Sequence, residues 1–569
     1  MNTALRLPAA LAALALLVAA TPAAAQVATL PNVTIKPAVV INLWPGAAPG
    51  ETGNIGPERV LPNRPRPFDQ IENVSVPTLA VFYPPADKRT GTGVLVIPGG
   101  GLDRLAIETE GYEVAEWLNA HGITAFLLKY RVPRRTPGAA WRVGVQDAQR
   151  AMGLIRAHAA EWKVDADAIG TVGFSAGAEI NVRMSVLHAE PRQYDPVDEA
   201  DKLSTRPDFN IAMYGGGFAN TNNNTLNQDV ASRIDASTPP MFIGHAFDDA
   251  ALSSVILMGA LKRANIPSEL HIFAAGAHGF GVRDSGLTIA EWPELCLRWL
   301  GQLGFLDAPG VRAYAKNFVA ARDGGAAMLP RFSVSAATTD MTAAFASQRR
   351  VIAATLASGG GIAGYKGVYT SPAAQAGVGV THVFHGVLFK AGRINATPAP
   401  VIPTDPKRAI FVETEIGYII ATDIGTKLRV PRQAMTTVQA VVPVIEMPVN
   451  MTPLMGGTTV AADTIGANAG SSKYIVGGQL APEAVGDLDA LAVTLKRDGQ
   501  TLHEAKGAEA QGGQAVLLMN LINQIIEQGH VIHAGDLIIS GALGGAKPGE
   551  KGGYTANFGK LGTIEFKLE

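Results

Sequence analysis

A single cysteine, Cys296, stands in a chain of 569 residues. One thiol closes no internal disulfide and builds no paired-cysteine zinc site, so the fold has to rest on its cores. Its setting, W-P-E-L-C-L-R-W-L, reads as a helix and makes Cys296 a packing residue rather than a reactive thiol. Charge is scarce as well. Asp, Glu, Lys and Arg supply 17% of the chain, the net charge is −2, and no dense Lys/Arg run occurs. That excludes nucleic acid and an anionic membrane surface as partners. Low charge combined with 47% hydrophobic residues excludes disorder and leaves material for the cores of two or three domains. No apolar run is long enough for a transmembrane helix. Leu7 to Ala20 falls short of the ~20 residues a span needs, and no charged stop-transfer flank follows, so no stable membrane anchor is expected.

What is present begins with that same run. Arg6 precedes it and T-P-A-A-A-Q follows, the pattern of a secretory signal over residues 1–25, cut after Ala25. No cysteine lies near the cut, which excludes a lipoprotein. The mature chain is expected in a periplasm or outside the cell. The 63 glycines and 36 prolines show no collagen-like period and indicate many turns.

Two rhythms follow. Residues 26–306 alternate short apolar strands (G-V-L-V-I-P, I-T-A-F-L-L-K-Y, I-G-T-V-G-F, P-P-M-F-I-G-H-A, S-E-L-H-I-F) with amphipathic helices, among them Trp141 to Trp162. This alternation predicts an α/β domain with a mostly parallel sheet covered on both faces. Residues 307–330, rich in Gly, Pro and Ala, read as a linker. Residues 331–569 hold one helix, T-A-A-F-A-S-Q-R-R-V-I-A-A-T-L-A, and then β-rich runs, A-I-F-V-E-T-E-I-G-Y-I-I, L-I-I-S-G-A and G-T-I-E-F. They predict a mixed β-rich domain.

Gly173-Phe174-Ser175-Ala176-Gly177 follows a strand and precedes a helix-compatible stretch. There a serine on a tight turn is exposed beside a helix N-terminus that favours developing negative charge. Pro98-Gly99-Gly100-Gly101 follows an earlier strand, and its amides, with that of Ala176, suit an oxyanion hole. Asp249, with Asp248 as competitor, follows the fourth strand, and His278 stands between glycines after the fifth. Serine, acid and histidine in this order, each just after a strand, define a nucleophile, an orienting acid and a general base.

With L-W-P-G-A-A-P-G, V-I-P-G-G-G, E-T-E-G, L-L-K-Y-R, D-A-Q-R-A and G-F-S-A-G, residues 39–305 resemble the acetyl-xylan-esterase-like and feruloyl-esterase-like α/β-hydrolases. The resemblance implies a serine carboxylesterase with Ser175, Asp249 and His278 catalytic, Gly100, Gly101 and Ala176 as oxyanion hole, and no cofactor. Two positions depart from the family. Leu102 stands where an aromatic often follows the glycines, and Ala178-Glu179 replaces a common Gly-His, so substrate choice is what differs.

In the second half, Phe411 to Ile416 reads as a strand on which Glu413 and Glu415 face the same side. Two such carboxylates repel unless a cation or protons intervene, and their oxygens favour Mg2+ or Mn2+. Glu446 lies 31 residues beyond Glu415 in an apolar run, where an acid needs a partner. With G-Y-K-G-V-Y-T-S-P-A-A-Q, G-A-N-A-G-S-S and H-A-G-D-L-I-I-S-G-A-L-G-G, residues 335–569 resemble the fumarylacetoacetate-hydrolase superfamily, in its 2-oxopent-4-enoate hydratase and oxalocrotonate decarboxylase branch. The resemblance implies a metal on Glu413, Glu415 and Glu446, Lys366 as active-site lysine, a small 2-oxo acid substrate and assembly into homo-oligomers. M-P-V-N-M-T after Glu446, and the order Gly367-Val368 after Lys366, depart from the family. The expectation is therefore an exported esterase fused to a metal-dependent hydratase- or lyase-like domain. The alternative keeps the esterase and makes the second half a non-catalytic oligomerising or ligand-binding module.

Overall fold

The computed structural model describes residues 33–51, 54–61, 68–135, 137–324, 329–405, 408–450 and 459–569. The signal expected at residues 1–25 lies outside them. The chain forms two compact units that divide between Trp299 and Leu300.

The first unit is built on eight strands: β1 (Val39–Asn42), β2 (Thr78–Phe82), β3 (Gly93–Ile97), β4 (Thr124–Lys129), β5 (Ile169–Phe174), β6 (Asn210–Met213), β7 (Met241–Ala246) and β8 (Glu269–Phe273). Their order in the sheet is β1-β2-β4-β3-β5-β6-β7-β8. β2 runs antiparallel to both neighbours, and β3 to β8 pair in parallel. β3 and β5 are buried along their whole length, as strands covered on both faces must be. The order and direction are those of an α/β-hydrolase. Helices α1 (Glu113–Ala120), α2 (Arg142–Ala157), α3 (Ala176–Val186) and α4 (Leu252–Arg263) supply the crossovers. The helix expected to reach Trp162 ends at Ala157, and turn structure follows it.

Several motif residues prove to be structural. Asp147 on α2 is fully buried and accepts from Trp44 Nε1 at 3.0 Å, from the Arg131 amide at 3.0 Å and from Arg131 Nε at 3.0 Å. Arg150 Nε donates to the Leu43 carbonyl at 2.9 Å. A buried charge is tolerated only when paired and hydrogen-bonded, and this network meets that condition while fastening the segment after β1 to α2. Cys296 is buried in the helix Trp292–Gln302, and burial pushes its thiol pKa well up.

The second unit carries a mixed sheet of β9 (Ile362–Val368), β10 (Phe384–Phe389), β11 (Arg393–Asn395), β12 (Ala409–Ile420), β13 (Val438–Met447), β14 (Lys473–Val476) and β15 (Leu537–Ile539), ordered β10-β9-β15-β12-β13-β14-β11. β16 (Leu543–Pro548) also pairs with β12. A second sheet of five strands lies nearer the C-terminus, made of residues 401–402, 563–568, 552–557, 492–497 and 500–506. Both sheets share one core with the apolar face of a long helix over Gln514–Glu527, which contributes Leu517, Leu518, Leu521, Ile522 and Ile525.

The expected linker is not a linker. Within 307–330, Pro309–Gly324 is helix α5, and Val311, Tyr314, Ala315, Phe318 and Ala321 bury one face of it. That face packs with Phe332, Phe345 and Val351, the last two on α6 (Met341–Ala357). The spacing is that of an amphipathic helix, in a segment whose small and mixed-charge residues resemble a linker only in composition.

Candidate active sites

The elbow after β5 is shaped by close approach. A side chain on Gly177 would bring its Cβ within 2.0 Å of the Ile97 carbonyl on β3, and one on Gly173 within 2.5 Å of the Gly177 carbonyl. Small residues on either side of Ser175 are therefore obligatory. Ser175 itself takes φ 53°, a left-handed value rare for a residue with a side chain. Its amide donates to the Met213 carbonyl at 2.9 Å, and its carbonyl accepts from Ala178 and Glu179 as α3 begins.

Ser175 Oγ lies 2.8 Å from His278 Nε2, and His278 Nδ1 lies 2.6 Å from Asp249 Oδ2. The three residues expected from chain order thus meet at the carboxyl ends of β5, β7 and β8. Asp248, the competing acid, turns the other way and accepts from the amides of Gly276 at 3.3 Å and Ala277 at 2.9 Å, bracing the histidine loop. Burial alone would raise the Asp249 carboxyl. The hydrogen bond from His278, the Ala250 amide and the two neighbouring imidazoles outweigh it and hold the pKa below the usual range.

Gly101 and Ala176 line an open cavity of about 320 Å3 over Ser175, together with Leu102, Arg134, Glu179 and Tyr214. Gly100 is not among its lining residues. Its carbonyl accepts from Asp103 and Arg104, and an added Cβ would lie 2.1 Å from the Arg104 carbonyl, so it packs into its own turn. Glu179 is pinned by Arg183 at 2.8 Å, with burial, the largest influence, raising its pKa.

Three residues of this site were not anticipated. Glu110 Oε2 accepts from the Gly99 amide at 2.7 Å, and Glu110 Oε1 accepts from the Tyr214 hydroxyl at 3.0 Å. Tyr214 in turn accepts from the Gly281 amide at 3.2 Å and sets its ring edge-on to His278 at 5.1 Å. Burial and then the Glu110 carboxylate push the Tyr214 hydroxyl well up, so it stays protonated and donates. This chain joins the glycine loop to the histidine loop. The third residue, His245 at the end of β7, reaches Asp249 Oδ2 at 3.0 Å. The E-T-E-G motif held the signal for Glu110, whereas His245 ends a strand that otherwise reads as plain core.

In the second unit the antiparallel register sets Glu413 on β12 opposite Glu446 on β13, with Glu415 two places along. One carboxylate oxygen from each lies within 4.8 Å of the others. Glu415 and Glu446 are fully buried. Glu415 Oε2 accepts from the Gly541 amide at 2.6 Å, while its Oε1 meets no hydrogen-bond partner. Lys366 on β9 is buried too, and its Nζ donates to Glu446 Oε1 at 2.6 Å and to the Ala469 carbonyl at 3.2 Å. Burial, followed by mutual repulsion, raises the pKa of Glu415; burial, opposed by Lys366, raises that of Glu413. Burial works against the Lys366 charge, but the three carboxylates overcome it and keep the ammonium. With all three carboxyls ionised against one ammonium, the oxygen donors would carry a charge of −2, which a divalent cation matches and so favours over protons. The residues present therefore fit the implied metal. An open cavity of about 320 Å3 adjoins them, lined by Lys366, Glu413, Tyr369 and Glu509 among others.

Fold and sites define a chain of two enzyme-like domains, an α/β-hydrolase with a serine elbow and a mixed β domain with a carboxylate cluster. Residues 79–252 match the BD-FAE family model, and residues 384–568 match that of the fumarylacetoacetate (FAA) hydrolase C-terminal region, so a BD-FAE-type domain is fused to an FAA-hydrolase-like one. The first half is 28% identical over 217 residues to an acetylxylan esterase of Xylanibacter ruminicola, covering 36% of this chain and 43% of that one. The second is 27% identical over 218 residues to a 2-keto-4-pentenoate hydratase of Paraburkholderia xenovorans, covering 37% of this chain and 76% of the relative. The chain thus spans less than half of the esterase's length, and 32% of that of an endo-1,4-beta-xylanase B from Butyrivibrio fibrisolvens, to which it is 26% identical. Among solved structures, an acetyl ester-xyloside bifunctional hydrolase from Caldicellulosiruptor lactoaceticus is 28% identical with TM-score 0.37, covering 47% of this chain and 97% of that one. A 4-oxalocrotonate decarboxylase from Pseudomonas putida G7 is 22% identical with TM-score 0.42, covering 46% and 97%.

Proposed function

We propose that the first unit is a serine carboxylesterase for short acyl esters. What carries the reading is the pair of hydrogen bonds from Ser175 Oγ to His278 and from His278 to Asp249, at 2.8 and 2.6 Å. Ser175 Oγ attacks the ester carbonyl while His278 Nε2 takes its proton. The amides of Gly101 and Ala176 face the resulting oxyanion, with Gly100 completing the turn that presents Gly101. His278 returns the proton to the leaving alcohol, and water releases the acid from Ser175 in a second, symmetric step. The cavity supports acetyl over feruloyl. Among the described residues, Leu102 and Tyr214 are its only bulky, mainly apolar lining residues, against Arg134, Glu179 and the small Gly215, Gly216 and Gly217. These polar groups suit a hydroxylated alcohol such as a plant polysaccharide. Ser175→Ala is expected to lower hydrolysis of an aryl acetate by at least about 10^3-fold. Full activity in that variant would sink the assignment.

The second unit is read as a hydratase- or lyase-like enzyme for a small 2-oxo acid, with Glu413, Glu415 and Glu446 holding Mg2+ or Mn2+. When bound, the cation supplies positive charge beside the carboxylate and keto oxygens of the substrate. Glu446 holds the Lys366 ammonium beside the cavity, where Lys366 can give a proton to the substrate. Added Mg2+ or Mn2+ at about 100 times its Kd is expected to stabilise this unit by about 2.7 kcal/mol, an effect absent in Glu413→Ala. Equal melting with and without metal would refute the ligand assignment. Export through residues 1–25 completes the reading.

A further inference from the structure

The orienting acid of the first site carries a second imidazole. His245 is 1% exposed at the end of β7, a strand otherwise filled with apolar residues and glycine. A buried imidazole of this kind is costly unless both nitrogens are satisfied, and here both are. Nε2 lies 3.0 Å from Asp249 Oδ2, the same oxygen that receives His278 Nδ1. Nδ1 lies 2.8 Å from Ser254 Oγ on α4, itself buried. Protons can be assigned along the chain. An ionised Asp249 accepts only, so His245 Nε2 carries hydrogen; neutral His245 then accepts at Nδ1, and Ser254 donates. Burial, the largest influence on His245, lowers its pKa and keeps it neutral, although Asp249 opposes this.

We propose that His245 is a positioning residue of the triad, tying Asp249 Oδ2 to α4 through Ser254 and sharing with His278 the one oxygen that orients the general base. The catalytic meaning of this inference rests on the esterase reading; the geometry does not. Two effects follow. A carboxylate held from α4 cannot swing away when the His278 imidazolium forms. A second donor also withdraws charge from Oδ2 and so weakens its hold on the His278 imidazolium. The other groups facing the pair are untouched by a change at His245. Tyr214 lies edge-on to His278, Glu110 stands behind Tyr214, and Asp248 is held by the amides of Gly276 and Ala277.

The test is a pH titration of His278 in the full-length chain carrying 13C-labelled histidine, the signal being assigned by its loss in His278→Gln. His245→Leu removes the donor, and Ser254→Ala removes only the group that fixes the tautomer. The His278 midpoint is expected to rise by about half a unit to one unit in His245→Leu and by less in Ser254→Ala. The acid limb of kcat/KM on an aryl acetate should move with it, and kcat should fall about tenfold at constant KM. An unchanged His278 midpoint in Ser254→Ala and in any folded His245→Leu protein overturns the proposal, even if activity falls. Titration needs no turnover, so a wild-type chain inactive on esters would sink the esterase reading alone.

Discussion

Asp248 and Asp249 are adjacent in sequence and opposite in use. Asp249 meets an imidazole, and Asp248 meets two backbone amides of the loop that carries that imidazole. An amide side chain at 249 leaves the shape intact and spoils the tautomer of His278, so Asp249→Asn is expected to lower kcat about 10^4-fold. Asp248→Asn keeps an oxygen for the loop amides and should cost less than about tenfold. Steady-state rates on an aryl acetate distinguish them, and equal losses would mean that the histidine takes either acid. The order of Ser175, Asp249 and His278 was legible in the sequence because each follows a strand. Asp249 was preferred over Asp248 in the sequence, and the structure adds the reason: a one-residue difference in direction beyond the end of β7 turns Asp249 to the imidazole and Asp248 to the loop amides. The pairing of Lys366 with Glu446 was not legible. These residues sit on β9 and β13, which are separated in the sheet by β15 and β12.

Among elements, β12 is the clearest case of legibility. Its residues were read as one strand, and the common facing of Glu413 and Glu415 follows from a period of two. β6 escaped because four residues, N-I-A-M, give no period to count, and α5 escaped because its composition resembles a linker. β10 holds a different kind of hidden feature. His385 on this strand is fully buried; its Nδ1 pairs with Gln524, while Nε2 meets no hydrogen-bond partner. Burial, the main cause, pushes its pKa down to about 3. An unfolded chain would take up that proton near pH 6.5. Stability tied to neutral His385 is therefore fully present above about pH 6.5 and is lost as pH falls toward 3, on the order of 5 kcal/mol at the bottom of that window. Thermal unfolding of the second unit should become steeply easier across this range, and His385→Gln should flatten the slope. Identical slopes would show that other groups control acid unfolding.

On the scale of the whole molecule, the two candidate sites belong to different units. Ser175, His278 and Asp249 belong to residues before Trp299, and the carboxylate cluster with Lys366 belongs to residues after Leu300. Each unit has its own sheet, and the boundary lies before α5 rather than after it, so α5 belongs to the second unit. The export proposed through residues 1–25 concerns the entire chain. A mature protein recovered from the producing cell should begin at Gln26, which intact-mass measurement checks; a chain retaining Met1 to Ala25 would argue against cleavage there. The solitary, deeply buried Cys296 adds a practical consequence. Thiol reagents find nothing to modify on the native surface, so cysteines introduced one per unit would be the sole attachment points for a pair of spectroscopic probes. The separation of the two units could then be followed in solution, with no native thiol to remove first.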